Sequence, residues 1–168
     1  MTRDFHAALE AIERIVEREA EADAIVRGAV DVLYERLPGY SWVGIYFVEG
    51  AELQLGPWRG PAATEHVRIP IGEGICGAAA ASGRTEIVDD VASDARYLAC
   101  FTSTRSEIVT PVVYRDLVVA EIDVDSDLPT AFAEPDRVFL ERVATLISPY
   151  CLVGWDTGGV EWDEPGSV

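Results

Sequence analysis

The chain has 168 residues, with 30 acidic side chains against 13 basic ones, a formal net charge of −17 and a pI of about 4.3. That length fits one domain able to bury roughly 70% of its unfolded surface in a single core, so stapling by disulfides is unnecessary. A uniformly acidic surface repels phosphate backbones and anionic lipids, and no basic stripe offsets it, which argues against nucleic-acid and membrane partners.

From Asp4 to Leu37 apolar residues recur in steps of three and four: Phe5, Ala8, Leu9, Ile12, Ile15 and Val16, then Ile25, Val26, Ala29, Val30, Leu33 and Leu37. This spacing predicts amphipathic helix. The polar gap at Ala20–Asp23 marks either a break, with Asp23 as a second N-cap, or one long helix crossing a polar turn, and Leu37-Pro38-Gly39 ends the segment. Trp42–Val48 and Ala51–Leu55 flank Glu49-Gly50 and read as a β-hairpin, and a further strand is expected from His66 to Ile69. GEGICGAAAAS, from Gly72 to Ser82, predicts a short helix opening near Gly74. The stretch from Val88 through Asp94 to Cys100 has turn formers and no periodicity, and reads as a long functional loop. Ser106–Tyr114 and Leu117–Val124 around Arg115-Asp116 predict a second hairpin. A last helix is expected from Glu134 to about Cys151, with Val138, Phe139, Val143, Leu146 and Ile147 as its apolar face. The elements add up to a single α+β domain spanning residues 1–153, a central antiparallel sheet with N- and C-terminal helices on one face and a ligand pocket on the other. Residues 154–168 read as an acidic, flexible tail.

Every basic residue is arginine, and 49% of the chain is apolar, too much for a disordered polyacid. The acidic coat repels itself in dilute buffer and is screened where the Debye length falls to about 3 Å, near 1 M salt. This points to a salt-rich cytoplasm; an acid-rich, lysine-poor coding bias would give the same composition. The N-terminal MTRDFHAALEAIERIV lacks the apolar core of a signal peptide, and no stretch has the length of a membrane span, so a cytoplasmic location is expected. Cys76, Cys100 and Cys151 are odd in number and too few for a secreted disulfide framework.

No phosphate-loop lysine, zinc-ligand spacing or Ser-His-Asp arrangement is visible, and neither cofactor nor metal is implied. The chemistry gathers instead in Cys76, Cys100, Glu107, Asp123 and Asp125. Asp123 and Asp125 are two apart on a predicted strand and share a face, away from Ile122 and Val124. Paired carboxyls either bind a cation or leave one with a raised pKa, able to act as an acid; a solvated strand face is the bland alternative. Cys151, on a helix, reads as a small buried hydrophobe. Cys76 and Cys100, beside glycines or in a loop, read as accessible thiols, that of Cys76 with its pKa lowered by a helix N-terminus. Trp42 and Tyr46, four apart on a strand, share a face, and form either core packing or an aromatic wall for a small cationic or methyl-sulfur ligand.

Taken in order, SWVGIY, LGPWRGP, RIPIGEGICG, Ala99-Cys100, SEIVTPV and IDVDS resemble a GAF domain, and more narrowly the free methionine-(R)-sulfoxide reductases, from about Leu37 to Leu152. The resemblance implies reduction of free L-methionine-(R)-sulfoxide, with Cys100 as the catalytic thiol, Cys76 as a second motif cysteine, and Trp42, Tyr46, Glu107, Asp123 and Asp125 as substrate-binding positions. It also implies a thioredoxin-like or small-thiol reductant and permits a homodimer through terminal helices. Members commonly carry a third, resolving cysteine ten residues ahead of the GICG cysteine, where this chain has His66, which leaves Cys76 as the nearby candidate to resolve oxidised Cys100. Tyr97 and Phe101 stand where His and Asp are typical. A non-catalytic ligand-binding or redox-sensing GAF module is the competing expectation.

Overall fold

The structure is a computed structural model, and it describes residues 2–99 and 101–152. Cys100 and the expected tail at 154–168 lie outside the described residues. In chain order the elements are α1 (Phe5–Arg18), α2 (Ala22–Arg36), β1 (Trp42–Glu49), β2 (Glu52–Arg59), β3 (Arg68–Pro70), α3 (Gly74–Ser82), β4 (Glu86–Val88), β5 (Ser106–Tyr114), β6 (Leu117–Ser126) and α4 (Glu134–Ile147). The six strands form one antiparallel sheet in the order β3-β2-β1-β6-β5-β4.

The N-terminal segment is broken rather than continuous. Asp4 caps α1 by accepting from the Ala7 amide at 3.0 Å. The chain turns extended at Glu19 and Glu21, and α2 begins at Ala22. Asp23 is therefore not the N-cap expected of it: it lies in the first turn, where an acid suits the helix dipole, and accepts from Arg27 one turn later at 2.7 Å. The first hairpin turns at Gly50, whose φ is +63°, and β2 runs on to Arg59, four residues past the expected end. β3 starts at Arg68, not His66. β4, only three residues long, was not among the expected strands, and its last residue, Val88, falls where the long loop was expected to begin. The β5–β6 hairpin forms around Arg115 and Asp116, both at positive φ. α4 stops at Ile147 and a 3-10 turn over Ser148–Tyr150 follows, so the helix ends short of Cys151. On α4 the buried face is Phe139, Leu140, Val143, Ala144 and Ile147, while Val138, expected there, is 53% exposed.

Alternation along the strands sends two sets of side chains to two faces. Val43, Ile45, Phe47, Ile108, Val112, Ala120, Ile122 and Val124 meet α1, α2 and α4 in the larger core. Cys151 belongs to that core, its thiol pushed up to about 12 by burial, as expected of a bystander. The opposite face carries Trp42, Tyr46 and Val109 and is covered by α3 through Ile75, Cys76 and Ala79. Arg3 ties the N-terminus to the C-terminal helix, donating to Asp136 at 2.7 Å while its guanidinium lies over Tyr40. Among the described residues no helix is long and apolar enough to cross a membrane.

Candidate active site

The strand register assembles the site. In β5 and β6 Glu107 faces Asp125 and Val109 faces Asp123; across β1, Trp42 faces Asp125, Gly44 faces Asp123 and Tyr46 faces Glu121. Four carboxyls thus share one sheet face with Trp42 and Tyr46. Their residues are 0–5% exposed, and no arginine pairs with any of them among the described residues. The structure brings Trp42, Tyr46, Glu107, Asp123 and Asp125 together on this face, and adds Glu121. That residue sits two positions before Asp123 in EIDVD, so the same period-two spacing that pairs the aspartates also marks it.

Cys76 enters from above. The glycines of GEGICG have structural work here: Gly72 and Gly74 take positive φ, and a Cβ on Gly77 would lie 2.7 Å from the Pro70 carbonyl oxygen. They let α3 press against the chain entering it, and the helix delivers the Cys76 Sγ to 3.8 Å from Glu107 Oε1. Sγ and single carboxylate oxygens of Glu107 and Asp123 all lie within 4.8 Å of one another. The expectation of an accessible, acidified Cys76 is overturned. The residue is 6% exposed, and burial, followed by the negative charges of Asp123, Glu121 and Glu107, pushes its thiol well above the usual range.

The carboxyls behave as a group held against ionisation. Burial first, then the charge of Asp123, raises Glu107, Glu121 and Asp125 well above ordinary carboxylates. Burial lifts Asp123 to about 6, the adjoining Glu107 carboxyl and Cys76 thiol keeping it lower than the other three. Glu107 Oε2, Asp123 Oδ1 and both Glu121 oxygens have no hydrogen-bond partner among the described residues. Buried polar atoms left this way cost about 1–3 kcal/mol each and invite a cationic or donor-rich ligand.

One wall is aromatic. The Trp42 indole lies across Gly44 and Gly60, where a Cβ would come within 2.3 Å of the ring, so only glycine leaves it that place. Its Nε1 donates to the Ala62 carbonyl at 3.2 Å, Trp58 stacks on it at 6.1 Å, and Phe101 tilts against it at 5.8 Å. Tyr46 Oη donates to the His66 carbonyl at 2.8 Å, and the His66 Nε2 is 3.3 Å from the carbonyl oxygen of Ala99. Ala99 and Phe101, the neighbours of Cys100 in sequence, are therefore both held to the wall of the site.

The GAF domain family model matches residues 19–149. Free methionine-R-sulfoxide reductase of Escherichia coli (strain K12) is 33% identical over 85% of this chain and 81% of that protein. Among solved structures, the type II free methionine-R-sulfoxide reductase from Thermoplasma acidophilum superposes with a TM-score of 0.75 at 40% identity, covering 77% of this chain and 92% of that one. Free methionine-R-sulfoxide reductase from Neisseria meningitidis, solved in complex with its substrate, gives a TM-score of 0.80 at 33% identity over 90% and 92%.

Proposed function

The chain belongs to the GAF domain family, and from the site built on that fold we propose that it reduces free L-methionine-(R)-sulfoxide to L-methionine. The observation that carries this reading is a closed sheet face where four buried, unneutralised carboxyls stand beside a Trp-Tyr wall. Such a face suits a small molecule with an ammonium at one end and an apolar methyl-sulfur group at the other. Glu107, Asp123 and Asp125 receive the ammonium, and Trp42 and Tyr46 the methyl-sulfur end. A peptide-bound methionine sulfoxide has no ammonium to give and is excluded.

Cys100 supplies the nucleophile by the family resemblance, supported by the anchoring of its two neighbours to the wall. Its sulfur attacks the sulfoxide sulfur with an electron pair, and a carboxylic acid of the cluster donates a proton to the sulfoxide oxygen. The oxygen passes to the Cys100 sulfur, methionine leaves reduced by two electrons, and Cys100 remains as sulfenic acid. One thiol condenses with it to a disulfide, releasing water, and a second thiol restores it. Cys76 is the in-chain candidate for the first of these. Its burial and raised pKa leave little thiolate, so a small external thiol suits the role better. A thioredoxin-like donor, a homodimer through the terminal helices, a cytoplasmic location and an acidic coat fitted to high salt are further proposals resting on the sequence.

The test is dithiothreitol-driven turnover of free methionine-(R)-sulfoxide beside its N-acetyl derivative, in wild type and Cys76→Ser. Expected are reduction of the free amino acid only, and activity retained in the variant. Equal reduction of the acetylated compound would sink the ammonium-binding role, and loss of activity in a folded Cys76→Ser would make that thiol essential.

A further inference from the structure

Beyond the reductase reading, and resting on it only for the competition with ammonium ligands, we propose that Cys76, Glu107 and Asp123 form a binding site for a borderline-soft divalent cation of the zinc class. The three donor atoms lie within 4.8 Å of one another on two strands and a helix that fix them separately. Zinc bonds of about 2.3 Å to sulfur and 2.0–2.2 Å to oxygen put tetrahedral ligand atoms roughly 3.5 Å apart. Cys76 Sγ and Glu107 Oε1, at 3.8 Å, are near that spacing already. Closure onto an ion therefore asks for shifts of side chains, not of the fold.

A second observation separates this from an ordinary acidic cluster. Among the described residues, Glu107 Oε2 and Asp123 Oδ1 are buried with no hydrogen-bond partner and no arginine pairs with the group. A site of three protein ligands leaves a fourth position for water, and thiolate plus carboxylate favours zinc over magnesium or calcium, which take oxygen alone. On binding, the thiol proton is released to solvent and the sulfur becomes an anionic ligand, with no change of oxidation state. Because the same carboxyls receive the substrate ammonium, metal and amino acid exclude each other. The cation thereby acts as an inhibitor that also shields Cys76 from oxidation.

Cobalt(II) reports the site directly, through a sulfur-to-metal charge-transfer band that needs no turnover. Chelator-treated protein titrated with CoCl2 is expected to show this band at one equivalent. ZnCl2 should abolish it and millimolar L-methionine should weaken it, while Cys151→Ser retains it. Cys76→Ser should lose the band, and Glu107→Gln should weaken cobalt affinity by more than about tenfold while keeping the thiolate signal at saturation. No band at one equivalent, a band that survives in Cys76→Ser, or cobalt affinity unchanged in Glu107→Gln would each overturn the assignment. If Cys76→Ser does not fold, the Glu107→Gln titration and methionine competition decide. A failed reductase assay would leave these titrations unaffected.

Discussion

Glu121 shows most plainly what a single residue costs and what it is for. It is fully buried, both oxygens lack a hydrogen-bond partner among the described residues, and burial with the charge of Asp123 raises its pKa well above the ordinary value. A carboxyl whose folded pKa exceeds its unfolded one binds more protons when folded. Its contribution to stability is complete below about pH 4 and is lost as pH rises through the folded pKa. For Asp123 that window runs from about 4 to about 6, and for Glu107, Glu121 and Asp125 it extends higher. The ligand-free protein is therefore expected to resist urea better at pH 5 than at pH 8, even in about 1 M KCl, where coat repulsion is screened. Glu121→Leu should be more stable than wild type at pH 8 by about 1–4 kcal/mol and show a flatter pH profile. A wild type that gains stability between pH 5 and 8, or a variant with an unchanged slope, would contradict this.

At the scale of the element, α3 decides the chemistry of Cys76, and Gly77 decides where α3 sits. A Cβ there would lie 2.7 Å from the Pro70 carbonyl oxygen and 2.9 Å from the Gly72 nitrogen, both backbone atoms. Gly77→Ala should cost about 1–3 kcal/mol and shift α3 over the carboxyl cluster it covers, lowering kcat/KM by more than the loss of folded protein explains. Thermal melts beside kinetics test this, and wild-type values in both would refute the packing role.

The same element shows what was legible beforehand. Helix onset at Gly74, both hairpins, and the shared face of Asp123 and Asp125 follow from glycine chemistry and alternation, which are local properties. The burial of Cys76 depends on α3 docking over three carboxyls from distant strands, and no local pattern reports that. β4 has three residues, too few for alternation to register, and its strand character comes from pairing with β5. On α4, a face that takes in Val138 and Leu146 and one that takes in Leu140 and Ala144 both fit helical spacing until the sheet selects the second. Glu121 was within reach, since EIDVD places three acids on one face.

Over the whole molecule the charge of −17 divides into two populations. Most acids are exposed and repel one another through water, whereas the four on the sheet face under α3 sit at 0–5% exposure, beyond the reach of added salt. Raising KCl from about 0.1 M to about 2 M should shift the urea midpoint of wild type and Glu121→Leu upward by the same amount, because both carry the same coat. No upward shift would remove the reading of the coat as an adaptation to salt.

The central claim is that this GAF domain is an enzyme whose working thiol is Cys100. The most direct measurement is dithiothreitol-driven conversion of free methionine-(R)-sulfoxide to methionine by wild type and by Cys100→Ser in high salt. Sustained turnover by the wild type and none above the uncatalysed rate by the variant is the predicted result; turnover equal in the two proteins, or absent from both, would contradict it.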